Sequence, residues 1–410
     1  MTLERSEITT GIVGLGNIGQ YHAERLLDLD VPLVGGMDVA TEARTRFARR
    51  YDVDVYEDHN ELYDAVDAVI ITTPNKYHEQ YAIDAFERDL HVLLEKPLAH
   101  SLESARRIAD AAAYSDSFCM VGFNNRFANT VQIVKNRIDR GDLGEVTHIE
   151  ANYVRRRGIP GRGSWFTRHE IAGGGSLIDL GVHAVDLALY LLGYPEVLEV
   201  TGVARGEFGS REEYAYLEMW GDDAGSAGFD VDDSASAFVR CAGNRTVSLE
   251  VAWATNRPSD HGFLIRGTEA AARFDLLDGD LSFHSASTIG PDHLENTTIE
   301  TTQNDTHTEE QRAFFETIVT DNHEDDTVSD SVMRALRVQQ IIDGIYQSSE
   351  EGGTVSIGEY SVPIPTLRSD RSPSRRAIGR MLAADRDGSQ VRRSGGDDSN
   401  PLVLMSVIVY

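Results

Sequence analysis

The segment Gly14-Leu15-Gly16-Asn17-Ile18-Gly19 stands between an apolar run ending in Ile12-Val13 and a stretch of helical periodicity. No other feature of the chain narrows the fold as much. A strand that feeds a helix through this spacing uses its three glycines differently. Gly14 permits the tight turn, Gly16 lets the backbone approach a pyrophosphate, and Gly19 allows close helix–strand packing. The helix start at Asn17 and Ile18 then offers N–H donors and the positive end of a helix dipole to phosphates.

The residues that follow keep to one rhythm. Apolar runs at 32–37, 68–71, 91–94 and 118–121 alternate with helical patterns such as 77–87 and 102–113. Alternating β and α segments predict a parallel, doubly wound sheet. From about Arg126 the pattern changes. Helical stretches at 130–140 and 177–192 flank strand-like segments at 146–153, 235–239, 246–253 and 272–275. That arrangement predicts an α+β domain with a mostly antiparallel sheet, and late helices at 309–319 and 330–348 should pack back on the body.

In such a fold, ligands sit outside the carboxyl ends of the parallel strands. Asp38 ends the second strand, 24 residues after Gly14. A carboxylate there accepts from ribose hydroxyls and repels a 2′-phosphate, which favours NAD over NADP, although Arg44 lies nearby. An ordinary helix N-cap is the other reading of Asp38. Thr73, Pro74 and Asn75 follow the 68–71 strand and are placed to line the nicotinamide-side ribose, with Lys76 and His78 within reach of the cleft.

Two further motifs carry chemistry. Glu95-Lys96-Pro97 closes another strand, and Pro97 restricts Lys96 to extended conformations. A lysine there can donate to a substrate hydroxyl oxygen and steady its developing charge. The chain has only three lysines, Lys76, Lys96 and Lys135, so a casual surface role for Lys96 is disfavoured. Gly173-Gly174-Gly175-Ser176-Leu177-Ile178-Asp179-Leu180-Gly181-Val182-His183 runs into an apolar helix. Asp179 and His183 are spaced to share one face, Ser176 is a plausible N-cap, and the carboxylate is expected to orient the imidazole as a base. Asp186 is a candidate for a supporting role. A buried Asp–His pair that serves only the fold stays open. No third ligand is spaced for zinc.

These segments together resemble the glucose–fructose oxidoreductase / inositol dehydrogenase / rhizopine-catabolism (Gfo/Idh/MocA) family over roughly residues 7–362. The resemblance implies a Rossmann domain over 7–125. It implies an α+β domain over 126–362 whose large open, mostly antiparallel sheet joins protomers into dimers or tetramers. It makes Lys96, Asp179 and His183 the catalytic trio, with His183 as base, and implies a cis peptide before Pro97. It brings Glu95, Asn125 and Arg126 close to the cofactor, Trp165 beside the nicotinamide, and Arg157 or Arg168 to the substrate. The implied activity is hydride transfer between NAD, or NADP, and a hydroxyl-bearing carbon of a sugar, polyol or sugar derivative. Two alternatives stand beside it: a same-fold reductase of another carbonyl or enone, and a non-enzymatic NAD(P)-sensing regulator.

Charge bounds the partners. The 410 residues carry 67 acidic and 38 basic side chains, a formal net charge of −29. Nucleic-acid binding needs a basic footprint and is not expected. An acidic, lysine-poor surface resembles cytoplasmic proteins of extreme halophiles, with acidic clusters such as Glu324-Asp325-Asp326 exposed to solvent. Two cysteines, Cys119 and Cys241, offer no disulfide framework. Residues 1–8 lack the pattern of a secretory leader, and no uninterrupted apolar run reaches the ~18 residues of a membrane span. A cytoplasmic setting is expected. Residues 366–410 carry a net +3, which leaves −32 for the rest. They read as a disordered extension, a docking arm or a foreign end. This tail departs from the family pattern, as does the acidic stretch 221–233.

Overall fold

Strands that are apolar at every position belong at the centre of a sheet covered on both faces. Ala68–Ile71 is such a run, and all four of its residues are fully buried. The computed structural model, which describes residues 4–216, 219–322, 328 and 330–358, makes it the centre of a six-stranded sheet. The 366–410 tail, the 362 boundary and the Glu324-Asp325-Asp326 cluster lie outside the described residues.

The first sheet comprises β1 (Thr10–Val13), β2 (Leu33–Met37), β3 (Asp54–Tyr56), β4 (Ala68–Ile71), β5 (His91–Glu95) and β6 (Cys119–Gly122). All pairs are parallel, in the order β3-β2-β1-β4-β5-β6. This is the doubly wound arrangement expected from the alternation. Helices α1 (Asn17–Asp28), α2 (Thr41–Tyr51), α3 (His59–Tyr63), α4 (His78–Phe86) and α5 (Leu102–Tyr114) connect the strands. Ser101 caps α5 by accepting from the Ser104 N–H at 3.3 Å.

Past α6 (Asn129–Asp139) the chain builds a second sheet around β7 (Val146–Val154). Between them and the next strand lie the short α7 (His169–Ala172) and the buried α8 (Val182–Leu192). The remaining strands are β8 (Val197–Arg205), β9 (Ser234–Cys241), β10 (Thr246–Ala252), β11 (Gly262–Gly267), β12 (Ala270–Asp275), β13 (Leu281–Ser287), β14 (His293–Ile299) and β15 (Val355–Ser356). Their order is β14-β13-β12-β11-β7-β10-β9-β8-β15, and only β7 and β10 run parallel. The sheet is mostly antiparallel, as expected, but far wider than the four strand-like segments suggested. Ile149, Ala151, Val247, Leu249 and Val251 form its inner face against α8. The outer face is mixed, with Val203 and Phe238 partly exposed on β8 and β9.

Two late helices pack back on the body, and the second of them bridges the two sheets. α9 (Thr306–Thr320) docks on α1 through Asp305, which caps α9 and accepts from Arg25 at 2.6 Å. It buries Phe314 and Phe315 in the apolar cluster of Ile12, Leu15, Phe47 and Leu93. α10 (Ser331–Glu351) packs on both α5 and β8. One stretch, His169–Leu192, is long and apolar enough in composition to cross a membrane, but its apolar window is wholly buried in the body.

Candidate active site

The glycine turn behaves at its cofactor end as its spacing requires. Gly14 has a φ of +94°, and a Cβ there would lie 2.9 Å from the Thr72 carbonyl carbon. A Cβ at Gly19 would come within 2.1 Å of the Gly14 oxygen. These two glycines are therefore demanded by the fold itself. Gly16 is different, because a Cβ there would meet nothing within 4 Å. Open space beside Gly16, at the N-cap of α1, is what a bound pyrophosphate needs, with the first-turn N–H groups of Asn17 and Ile18 as donors.

Asp38 stands next to this turn. Its carboxylate accepts from the Leu15 N–H and the Ala40 N–H, both at 2.8 Å. Arg44 is committed to the Asp38 carbonyl at 2.7 Å and to Glu57 at 3.0 Å. Thr73 lines the cleft with a buried hydroxyl that has no hydrogen-bond partner, and Pro74 precedes a short turn. The side chains of Asn75 and His78 are engaged elsewhere. Asn75 donates to the Ala172 carbonyl at 2.8 Å. The His78 ring nitrogens face the carbonyls of Pro97 and Thr73, each at 2.9 Å. Both side chains brace the loops around the cleft. Lys76 forms a surface pair with Glu170 at 2.7 Å.

Glu95 is pinned from two sides. One oxygen takes His22 Nε2 at 2.8 Å, and the other accepts from the Lys96 N–H at 3.1 Å. Gln311 of α9 donates to His22 Nδ1 at 2.7 Å, which leaves the ring proton on Nε2 for Glu95. Burial pushes the Glu95 carboxyl up, but the bond from His22 and the charges around it hold it down at about 2. The Lys96–Pro97 peptide is cis.

Lys96 reaches from β5 to the helical segment beyond the triple glycine. Its Nζ donates to Asp179 Oδ1 at 2.7 Å, and Asp179 Oδ2 accepts from the Trp253 indole N–H at 2.8 Å. Asp179 is almost fully buried; burial pushes its carboxyl up, but Lys96, Arg155 and the two hydrogen bonds hold it below its usual range. Its carboxylate is thus spent on Lys96 and Trp253, and the expected Asp179 bond to the His183 imidazole is replaced by them. His183 is 3 % exposed, with Nδ1 buried and unpartnered. Its ring sits against Phe123 and Tyr153, at 6.4 and 6.3 Å between centroids. Burial, reinforced by the Lys96 charge, pushes its pKa down to about 3, so the imidazole is neutral.

The segment that carries Asp179 is a wide turn, Leu177–Gly181, with π-type hydrogen bonding that runs into α8. Ser176 is itself helical and does not cap it. The cap is Asp232, which no local pattern revealed. Its oxygens accept from the N–H groups of Gly175 and Leu177 and from the Ser176 hydroxyl, all at 2.8 Å, and from the Tyr346 hydroxyl at 2.7 Å. The end of the acidic 221–233 stretch is therefore a buried hub that holds the Leu177–Gly181 turn. Its neighbour Asp233 likewise accepts from the N–H groups of Glu207, Phe208 and Gly209.

Three other expectations shift. Arg126 is buried in a two-pronged pair with Asp186, one prong at 2.8 Å, so its guanidinium is held by a protein carboxylate. Trp165 stacks edge-on with Phe166 at 4.8 Å, and Phe166 contacts Trp253 at 5.8 Å, so that loop joins the site through an aromatic cluster. Arg157 is tied to the carbonyls of Thr255 and Arg156. Asn125 does lie at the site, 5 % exposed, with Nδ2 beside the Tyr153 hydroxyl.

With this geometry established, the chain can be compared with known proteins. Residues 8–123 match the model of an oxidoreductase family with an NAD-binding Rossmann fold, and residues 131–273 match the GFO/IDH/MocA C-terminal domain. D-glucoside 3-dehydrogenase of Escherichia coli K12 is 31% identical over 256 residues, which is 61% of this chain and 72% of that protein. The chain belongs to the Gfo/Idh/MocA oxidoreductase family. A second relative in the family, the NAD-dependent scyllo-inositol 2-dehydrogenase of Bacillus subtilis, is 32% identical over 242 residues, 56% of this chain and 67% of that one. The structure of a levoglucosan dehydrogenase with NADH and levoglucosan aligns with a TM-score of 0.73 at 24% identity, covering 86% of this chain and all of that one. That likeness extends the family fold to both sheets.

Proposed function

We propose that this protein is an NAD-preferring dehydrogenase that oxidises a hydroxyl-bearing carbon of a sugar, polyol or sugar derivative. The observation that carries the reading is the buried Lys96–Asp179 pair with the neutral His183 imidazole one helical turn further on, at the carboxyl end of β5. The relatives named above are dehydrogenases of a glucoside and an inositol, which supports the substrate class.

The residues divide the work simply. The open backbone at Gly16 and the first turn of α1 would hold the pyrophosphate, and Asp38 would hold the adenosine ribose. Bound NAD supplies the hydride acceptor. The Lys96 ammonium, oriented by Asp179, donates to the substrate hydroxyl oxygen and steadies its developing negative charge. The neutral His183 imidazole takes the hydroxyl proton. Trp253 keeps the Asp179 carboxylate turned toward Lys96. A regulator that only senses NAD(P) has no need of this buried charge pair. The setting we infer is a cytoplasm of high salt, with protomers assembled through the outer face of the nine-stranded sheet.

Lys96→Ala and His183→Ala should each lower kcat by about 100-fold or more, the range for loss of a general acid or base. NADH affinity should stay near wild type, because neither residue belongs to the pyrophosphate or adenosine sites. A base held near pKa 3 is already deprotonated at neutral pH. Wild-type kcat/KM for oxidation should therefore show no limb from His183 across the neutral range. Near-full turnover in His183→Ala would place the base elsewhere, with Lys96 the next to test.

A further inference from the structure

Tyr153 closes the inner face of β7, and its ring contacts the His183 imidazole. Arg155 follows two residues later, with its guanidinium over the edge of the same tyrosine, 6.0 Å from the ring centroid. Two buried nitrogens converge on this point, Arg155 Nη1 and Asn125 Nδ2, and neither has a well-formed bond to an acceptor beyond the Tyr153 hydroxyl. Both stand beside the Tyr153 hydroxyl. Arg155 also lies close enough to Asp179 to help hold that carboxyl ionised.

The donors around this point outnumber their acceptors. Three other cations of the interior pair with a carboxylate: Lys96 with Asp179, Arg126 with Asp186 and Arg162 with Asp223. Arg155 forms no ion pair with a carboxylate among the described residues, although acidic side chains outnumber basic ones by 67 to 38. Asp179 is already shared between Lys96 and Trp253. Lys96 and Arg155 both act on Asp179, whereas Glu95 lies close to Lys96. Arg155 is half-buried with Nη1 shut off from solvent, and its planar fork matches a carboxylate or phosphate better than a single hydroxyl.

We infer that Arg155, with Asn125, receives an oxyanion on the substrate, so that the physiological substrate is an acidic sugar or polyol bearing a carboxylate or phosphate group. The inference rests on the dehydrogenase reading above and narrows its substrate class. Arg155 supplies the charge, Asn125 a neutral donor, and the hydroxyl to be oxidised points back to Lys96 and His183.

The test compares D-glucose, D-glucuronate and D-glucose 6-phosphate in high KCl, by NADH formation. At least one oxyanion-bearing sugar should exceed D-glucose in kcat/KM by about tenfold or more. Which one does so identifies a carboxylate or a phosphate as the group received. Arg155→Met should reduce that ratio about tenfold, with the circular dichroism spectrum and NADH affinity serving as folding controls. Arg155→Lys should recover part of the ratio for a phosphate and less for a carboxylate, because a point charge replaces a fork. Equal use of the three sugars, or an Arg155→Met ratio equal to wild type, overturns the inference. Should none be turned over, the dehydrogenase reading fails separately, and calorimetry decides the oxyanion site. Binding of D-glucuronate or D-glucose 6-phosphate to the NADH-loaded protein that is lost in Arg155→Met supports it; no binding to wild type overturns it.

Discussion

Asp38 shows how much one side chain decides. Its carboxylate stands beside the glycine turn, fixed by the Leu15 and Ala40 N–H groups. Arg44, the nearby cation that could greet a 2′-phosphate, is spent on the Asp38 carbonyl and Glu57. NAD should be preferred over NADP by at least about tenfold in kcat/KM, a difference of only ~1.4 kcal/mol. Asp38→Ser should narrow the gap, and equal kcat/KM for the two cofactors in the wild type would defeat the assignment. At this scale the sequence was legible where spacing or rarity constrained a residue. Gly14, Gly16 and Gly19 were readable because each has a separate steric duty, and Lys96 because the chain keeps so few lysines. Trp253 and Arg155 were not. Their importance comes from meeting Asp179 across long sequence separations, and no local pattern encodes that meeting. Asn75, His78 and Arg126 have protein partners that spacing alone did not show. Polar residues near a cleft read as ligand contacts until their buried protein partners are seen.

At the level of elements the Leu177–Gly181 turn decides most. Three glycines leave residues 173–175 without side-chain bulk, and Asp232 uses that room. A Cβ at Gly175 would lie 1.8 Å from the Asp232 carbonyl oxygen. The approach lets one buried carboxylate serve the Gly175 and Leu177 N–H groups, the Ser176 hydroxyl and the Tyr346 hydroxyl together. Asp232→Ala would leave these donors without an acceptor inside the body. An unmet buried donor costs about 1–3 kcal/mol, so the variant should lose about 2 kcal/mol or more of unfolding free energy. Its kcat should fall as well, since Asp179 and His183 hang from this turn. Asp232→Asn, which keeps one accepting oxygen, should lose less. A denaturation midpoint within about 0.5 kcal/mol of wild type for Asp232→Ala would show the cap to be redundant. Element reading succeeded for the first sheet, where buried parallel strands are continuous apolar runs. It undercounted the second sheet because strands such as β13 and β14 face solvent on one or both sides and carry little apolar signal.

The whole molecule is governed by its charge. All three lysines are ion-paired, Lys76 with Glu170, Lys96 with Asp179 and Lys135 with Asp139. The net charge of −29 therefore represents carboxylates for which the chain offers no cation. Repulsion among them opposes the compact state, and its reach is set by salt. The screening length is about 10 Å at 0.1 M ionic strength and about 3 Å at 1 M. At the lower value neighbouring surface carboxylates feel one another, whereas at the higher value most do not. The buried Lys96–Asp179 and Arg126–Asp186 pairs are shielded from solvent ions and should be little weakened by salt. High salt therefore relieves the surface without dismantling the site. Dialysis out of KCl should bring loss of helical circular dichroism and of NADH formation below roughly 0.5 M. Sucrose at matched osmolality should not substitute for KCl if screening is the cause, because sucrose carries no charge. A protein that stays folded and active in dilute neutral buffer would show that its carboxylates tolerate one another unscreened, and the high-salt setting would have to be given up. Rescue by sucrose as complete as by KCl would point instead to preferential exclusion from the surface as the stabilising force.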